Sequence, residues 1–230
     1  MSKSMYITHE GIRIASERMF GVDHINKFGY NGAVGGSDET IHDAGGIYSY
    51  ITTAGTATVA GASDPTAVIE IQGLDENYLP VIEDVTVGGT STASFIRVFR
   101  ARVKTPHTGT DTNIGAITVT VDSAVRATIL AGKGQTLMAL YTIPAGHEGY
   151  LLKFQGSIDK NQEAQFSIYA RPFDNGFNIK GQFGTFSNSI TYDYPVPLKF
   201  TEKTDIEIRA NAGATAGIGA LFDIVLLTTG

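Results

Sequence analysis

The chain has 230 residues, with 17 Lys and Arg against 23 Asp and Glu, a net charge of −6, and only 17% charged positions. Hydrophobic residues at 42% exclude intrinsic disorder, and the acidic balance excludes a general nucleic-acid binder, which needs a basic face against phosphate. With no cysteine, disulfide scaffolds, thiolate metal centres and cysteine catalysis are excluded.

The length allows one large all-β domain or two small ones. No apolar run approaches the ~18–20 residues that span a bilayer. Met1 to Glu10 has no apolar core of a secretory signal. The sequence therefore predicts a soluble chain made in the cytoplasm, with no membrane partner.

From the N-terminus, residues 1–40 differ from the rest. Ile7, Ile12, Ile14, Met19 and Phe20 follow no clear helical or strand period, and a Gly-rich stretch from Gly29 to Gly36 comes after them. This is an expected N-terminal arm, packing on a neighbouring subunit, or else an irregular first strand of the body. Residues 41–230 are the expected body. There, apolar and polar positions alternate with the period of half-buried strands. Ile117, Val119 and Val121 alternate with threonines, and Phe166, Ile168 and Ala170 with Gln165, Ser167 and Tyr169. The longest run is Ile190, Tyr192, Tyr194, Val196, Leu198 and Phe200; Pro195 and Pro197 between them cannot donate ladder bonds and predict an edge strand, or one that leaves the sheet there. Ile206 and Ile208 alternate with Asp205, Glu207 and Arg209. Phe222 to Leu227 is apolar on both faces and predicts a strand that is central or covered by a neighbour.

Asn175-Gly176 marks a hairpin, because Asn-Gly supplies positive φ at low cost. No convincing helix is expected. About ten such strands predict an all-β fold, an antiparallel β-sandwich of jelly-roll type with an extended N-terminal arm. The loop Leu130-Ala131-Gly132-Lys133-Gly134 is a possible boundary, but it is of ordinary connection length. One body, with strands of both halves in the same sheets, is the expectation.

Few constellations carry chemistry. Glu39, His42 and Asp43 offer three donors in one short segment, but such residues ordinarily serve turns. Asp75, Glu76, Glu83 and Asp84 are expected as surface acids rather than a glycosidase pair. Gly132-Lys133-Gly134-Gln135-Thr136 lacks the spacer and the helix of a phosphate loop. No nucleophile motif is present, so neither enzyme activity nor a cofactor or metal is expected. Arg100, Arg102 and Lys104 share one strand face, whereas Arg97 shares a face with Phe95 and Phe99, which requires a bulge or a partner for Arg97. The basic strip is a solvated edge or a subunit contact. Tyr48, Tyr50, Tyr169, Phe173, Phe177, Phe183 and Phe186 are core residues or, if exposed, platforms for sugar rings.

Several stretches resemble virion proteins of tailed marine bacteriophages. They are Gln135 to Gly146, Ala170-Arg171-Pro172-Phe173, Pro197 to Ile206, Lys27 to Asn31, and Glu39 to Asp43 with Gly45-Gly46. The resemblance implies a β-rich, jelly-roll-like structural component of the virion, without naming its part of the particle. The expected function is capsid decoration (cement), with the major capsid protein as partner and self-association as a homotrimer, the trimer following from the symmetry of shells. The expected location is the capsid surface, after assembly in the host cytoplasm. The expected contact residues are Tyr6, Ile12, Ile14 and Phe20 of the arm and Arg100, Arg102 and Lys104 of the strip. The alternative is a head-fibre, tail-fibre or baseplate protein that binds host surface glycan.

Overall fold

The computed structural model describes residues 10–16, 18–186 and 188–229. A six-residue helix, α1 (Glu10–Ala15), is followed by β1 (Val22–Val34), β2 (Glu39–Thr40), β3 (Gly55–Ala60), β4 (Val68–Leu74), β5 (Pro80–Thr86), β6 (Thr90–Phe95) and β7 (Arg97–Thr105). Then come β8 (Ile117–Val121), β9 (Ala124–Ile129), β10 (Leu140–Thr142), β11 (His147–Ile158) and β12 (Glu163–Arg171). The chain closes with β13 (Asn178–Phe186), β14 (Ser189–Phe200), β15 (Asp205–Ala212) and β16 (Ala216–Thr228). The fold is all-β and antiparallel, as the alternation predicts. The helix is a departure from the sequence reading: Ser16 Oγ donates back to Ile12 O at 2.6 Å and closes its last turn.

Two sheets form a jelly roll. One has the order β1-β16-β11-β14, the other β10-β15-β12-β13 with β2 also on β15. With β2 and β10 taken as one line, every connection between consecutive jelly-roll strands except β12 to β13 passes from one sheet to the other, the wrapping that two Greek keys require. Between the sheets lies a core built around Phe154, Phe166, Ile168, Ile208, Phe222 and Ile224. β16, apolar on both faces, is central as expected, paired with β1 and β11. β14 is the expected edge strand. Its ladder to β11 skips from Leu198 to Asp193, which takes Pro195 and Pro197 out of the pairing.

Residues 22–34, inside the expected arm, adopt the other reading offered for that segment. They form a thirteen-residue strand laid along β16 from Val22↔Leu227 to Val34↔Ala216.

One strand of the jelly roll is made of two pieces far apart in sequence. Along β15, Ala210 and Arg209 pair with Glu39 and Thr40, and Glu207, Ile206 and Asp205 pair with Leu140, Tyr141 and Thr142. At the seam, Ile41 N donates to Ile208 O at 2.9 Å and Ile208 N donates to Ala139 O at 3.0 Å. Ala139 N closes the junction by donating to Ile41 O at 2.9 Å. The chain therefore leaves the sheet after residue 41 and returns to the same line at residue 139.

The intervening segment is a second sandwich, with sheets β6-β3-β8-β9 and β5-β4-β7. It has its own core of Ile69, Ile71, Phe95, Ile117 and Ile129 among others. The expectation that strands of both halves share sheets holds in the jelly roll, where β1 and β2 from before the 130–134 loop pair with β16 and β15 from after it; the second sandwich, β3 to β9, comes from the first half alone and forms sheets of its own. The loop 130–134 lies near the return end of the insertion, and Gly45-Gly46 near its departure end. The two bodies meet closely. Met138 and Leu140 belong to the core of the insertion, whereas Ala139, Tyr141 and Ile143 belong to the jelly roll, so this segment is buried on both of its faces. Lys27 of β1 donates to Phe99 O of β7 and is buried; burial, and then the nearby Arg100, lower its pKa to about 7. At the departure point, burial raises the Asp43 carboxyl to about 7, against an N–H bond from Leu137.

Candidate functional site

The face of sheet β10-β15-β12-β13 that turns away from the jelly-roll core carries the polar half of the alternation. On β15, Ile206 and Ile208 point inward, which sends Asp205, Glu207 and Arg209 to the opposite face; on β12, Tyr169 and Arg171 do the same. The inserted sandwich covers part of this face. Asp205 is 2% exposed and Glu207 is 0% exposed, although the sequence pattern alone suits a solvent face.

Asp205 joins the two bodies. Arg97 of β7 donates to it through Nε at 2.7 Å and Nη2 at 3.0 Å. Arg171 of β12 donates through Nη2 at 2.6 Å and Nε at 3.0 Å, and Thr142 Oγ1 at 2.6 Å. Arg97 Nη1 also donates to the carbonyls of Ile51 and Ile96. Burial works against the Arg97 charge, but Asp205 outweighs it and holds the pKa above the usual arginine value. Both conditions stated for Arg97 hold: it is paired, and the β4–β7 register shifts between Gln72 and Gly73.

Beside this cluster, Glu207 accepts from Arg209, from Tyr50 Oη at 2.8 Å and from Thr40 Oγ1 at 3.3 Å. Burial pushes its pKa upward despite these donors, and pushes the Tyr50 hydroxyl well above its normal range.

A cavity of about 460 Å³ opens over these groups, between the insertion and the jelly roll. Its cations alternate with aromatic rings. Arg209 lies 4.2 Å from the Tyr169 ring centroid and 5.0 Å from that of Phe177. Arg171 lies 4.7 Å from Phe177 and 4.5 Å from Tyr50. Arg97 sits 5.2 Å from both Tyr50 and Tyr78, and Lys203 Nζ 5.5 Å from Tyr78 and 5.1 Å from Phe173. Each contact attracts a cation to the negative face of a ring, most strongly where water is excluded. Four cations thus stand over two buried carboxylates, with Asp174 on the exposed rim, in a chain of net charge −6.

The sequence-predicted residues lie elsewhere. Tyr6 is outside the described residues. Ile12 is 51% exposed on α1, Ile14 is half-buried, and Phe20 is fully exposed just before β1. On β7, Arg102 forms a bidentate pair with Glu70 at 2.7 and 2.8 Å, Lys104 pairs with Asp84, and Arg100 donates to Gln135 at 2.9 Å. The strip is therefore largely matched by acids on β4 and β5, with the Arg102 and Lys104 side chains still half exposed. Among the acids, Asp75 accepts from the N–H groups of Asn77 and Leu79, and Glu83 from those of Thr92 and Ala93. Glu39 accepts from Gly46, Gly35 and Asn31. The sequence pattern does not assemble the cleft. Tyr50, Phe173 and Phe177 are among its candidate ring platforms, but Arg171, Lys203 and Arg209 carry no signal of their own.

No family model matches the chain, and no curated protein matches it. Solved structures with some likeness come from infectious bursal disease virus. A chain from the Gt strain is 11% identical, with 91% of this chain and 73% of that one covered, at a TM-score of 0.23. A chain of the VP2 subviral particle is 9% identical, with 91% and 77% covered, at 0.22. Scores at this level do not establish a shared fold.

Proposed function

We propose that this chain is a structural protein of a bacteriophage virion, acting as a capsid decoration protein that bridges neighbouring capsomers. Its partners on this reading are the major capsid protein and further copies of itself in a homotrimer, and its chemistry is burial and charge complementarity without a covalent step. The observation that carries the reading is the interrupted jelly roll: a rigid sandwich with open edges, one strand of which is split to hold a second sandwich. Jelly rolls serve as wall units of viral shells, and open edges pair readily with neighbours. Weak contacts repeated over a symmetric shell add through multivalency.

The contact elements on this reading are Ile12, Ile14 and the exposed Phe20, with Tyr6 before them, and Arg100, Arg102 and Lys104, the last two half exposed. Deleting residues 1–20 removes the first set while sparing the body, because among the described residues Gly21 O is the first acceptor that ties this end to β16, from Thr228 N at 2.9 Å. The truncated protein is expected to keep its melting temperature and to lose binding to purified shells. Full occupancy on shells would remove the arm from the account.

A second reading rests on a different observation. Jelly rolls also occur in lectins, and the cleft gathers Tyr50, Phe173 and Phe177 around cations. That arrangement suits a fibre or baseplate protein touching host glycan.

A further inference from the structure

The cleft differs from a mere staple between two bodies in the donors it leaves over. Arg171 spends Nε and Nη2 on Asp205, and Arg209 spends Nε on Glu207. Arg171 Nη1 and both terminal nitrogens of Arg209 have no hydrogen-bond partner in the protein among the described residues. Lys203 has no carboxylate partner there either; its ammonium touches only the rings of Tyr78 and Phe173. Guanidinium and ammonium nitrogens donate and never accept. The unspent capacity of these three side chains is thus entirely donor, and positive.

Two further features narrow the ligand. Lys203 is held at φ 59°, in the left-handed region that a non-glycine residue seldom adopts, so its position at the cleft mouth is maintained against a local backbone preference. The Phe173 ring beside it is 47% exposed, a flat apolar surface next to a cation. The cavity, at about 460 Å³, is far larger than an inorganic anion needs and falls within the range of small-molecule sites.

The geometry points to a binding site for an acidic saccharide, a pyranose carrying a carboxylate. The carboxylate would lie against the free guanidinium nitrogens and Lys203, where a planar fork matches a planar acid. The sugar ring would lay its C–H face on Phe173. Asp174 at the rim opposes the charge, and Asp205 and Glu207 are already engaged beneath, so the net attraction comes from Lys203 and the unspent guanidinium donors.

This inference deepens the second reading, and its test is independent of any particle. The purified full-length protein is titrated calorimetrically with digalacturonate, with its methyl ester, and with inorganic phosphate. Digalacturonate is expected to bind, and the methyl ester to bind about tenfold more weakly, the factor that one lost charged hydrogen bond represents. Lys203→Asn removes the charge with a residue that tolerates positive φ, and Phe173→Ala removes the platform. Each is expected to weaken digalacturonate about tenfold with the melting temperature unchanged. Absence of binding, equal binding of phosphate, or undiminished binding by both variants would overturn the assignment. Binding in a protein that proves absent from virions would instead count against the virion location alone.

Discussion

Replacing Asp205 by Asn is expected to destabilise the protein by about 3–5 kcal/mol. For a chain of this size that is a fall of roughly 10 °C in melting temperature. The substitution keeps the shape of the side chain and removes only its charge. Arg97 at 9% side-chain exposure and Arg171 at 28% would then share no anion, and Arg97 lies too deep for water to replace it. The cost comes from stranding a buried cation rather than from the net worth of the ion pair, which desolvation largely offsets. A second change follows from this logic: Arg97→Met in the Asp205→Asn background should recover part of the loss, because the two sites are coupled. Thermal and urea unfolding of the two variants measure both effects. A loss under about 1 kcal/mol for Asp205→Asn would mean that the Arg97–Asp205–Arg171 cluster does not hold the insertion to the jelly roll.

The second large effect is expected at Gly29. This residue of β1 lies directly against the seam of the composite strand. A Cβ there would stand closer than 3.0 Å to both Ile41 O and Ala139 N, the two atoms whose hydrogen bond closes the junction. Both are backbone atoms, which no rotamer change can move aside. Gly29→Ala is expected to cost about 3 kcal/mol through forced displacement of packed backbone. Gly35, near the end of the same segment, has no atom within 4 Å of the place a methyl group would take, and no positive φ. Gly35→Ala should therefore stay within about 0.5 kcal/mol of the parent. Equal tolerance at the two positions would contradict the two-piece strand.

Much of the jelly roll is visible in the sequence because its strands are half-buried and alternate. Pro195 and Pro197 mark β14 as an edge through chemistry that any sheet obeys, and Phe222 to Leu227, apolar on both faces, marks β16 as central, where it pairs with β1 and β11. The insertion is not visible. Period-2 alternation is the same in both sandwiches, and the departure at Ile41 and the return at Ala139 are ordinary strand residues. Their adjacency is created only by the register on β15. The cleft is hidden for a related reason. The alternation of Asp205, Glu207 and Arg209 gives their face but not what covers it, and the partner Arg97 is 108 positions away. The basic strip shows the converse. Its alternation on Arg100, Arg102 and Lys104 is legible, but Glu70 and Asp84, which pair with it, come from strands whose neighbours the sequence does not name.

The central claim, a structural role in the virion, is tested most directly by copy number. Quantitative mass spectrometry of purified particles, referenced to the major capsid protein, gives that number. The account predicts on the order of hundreds of copies in fixed ratio to the shell protein, as a decoration repeated by shell symmetry requires. Complete absence of the chain from particles would contradict it.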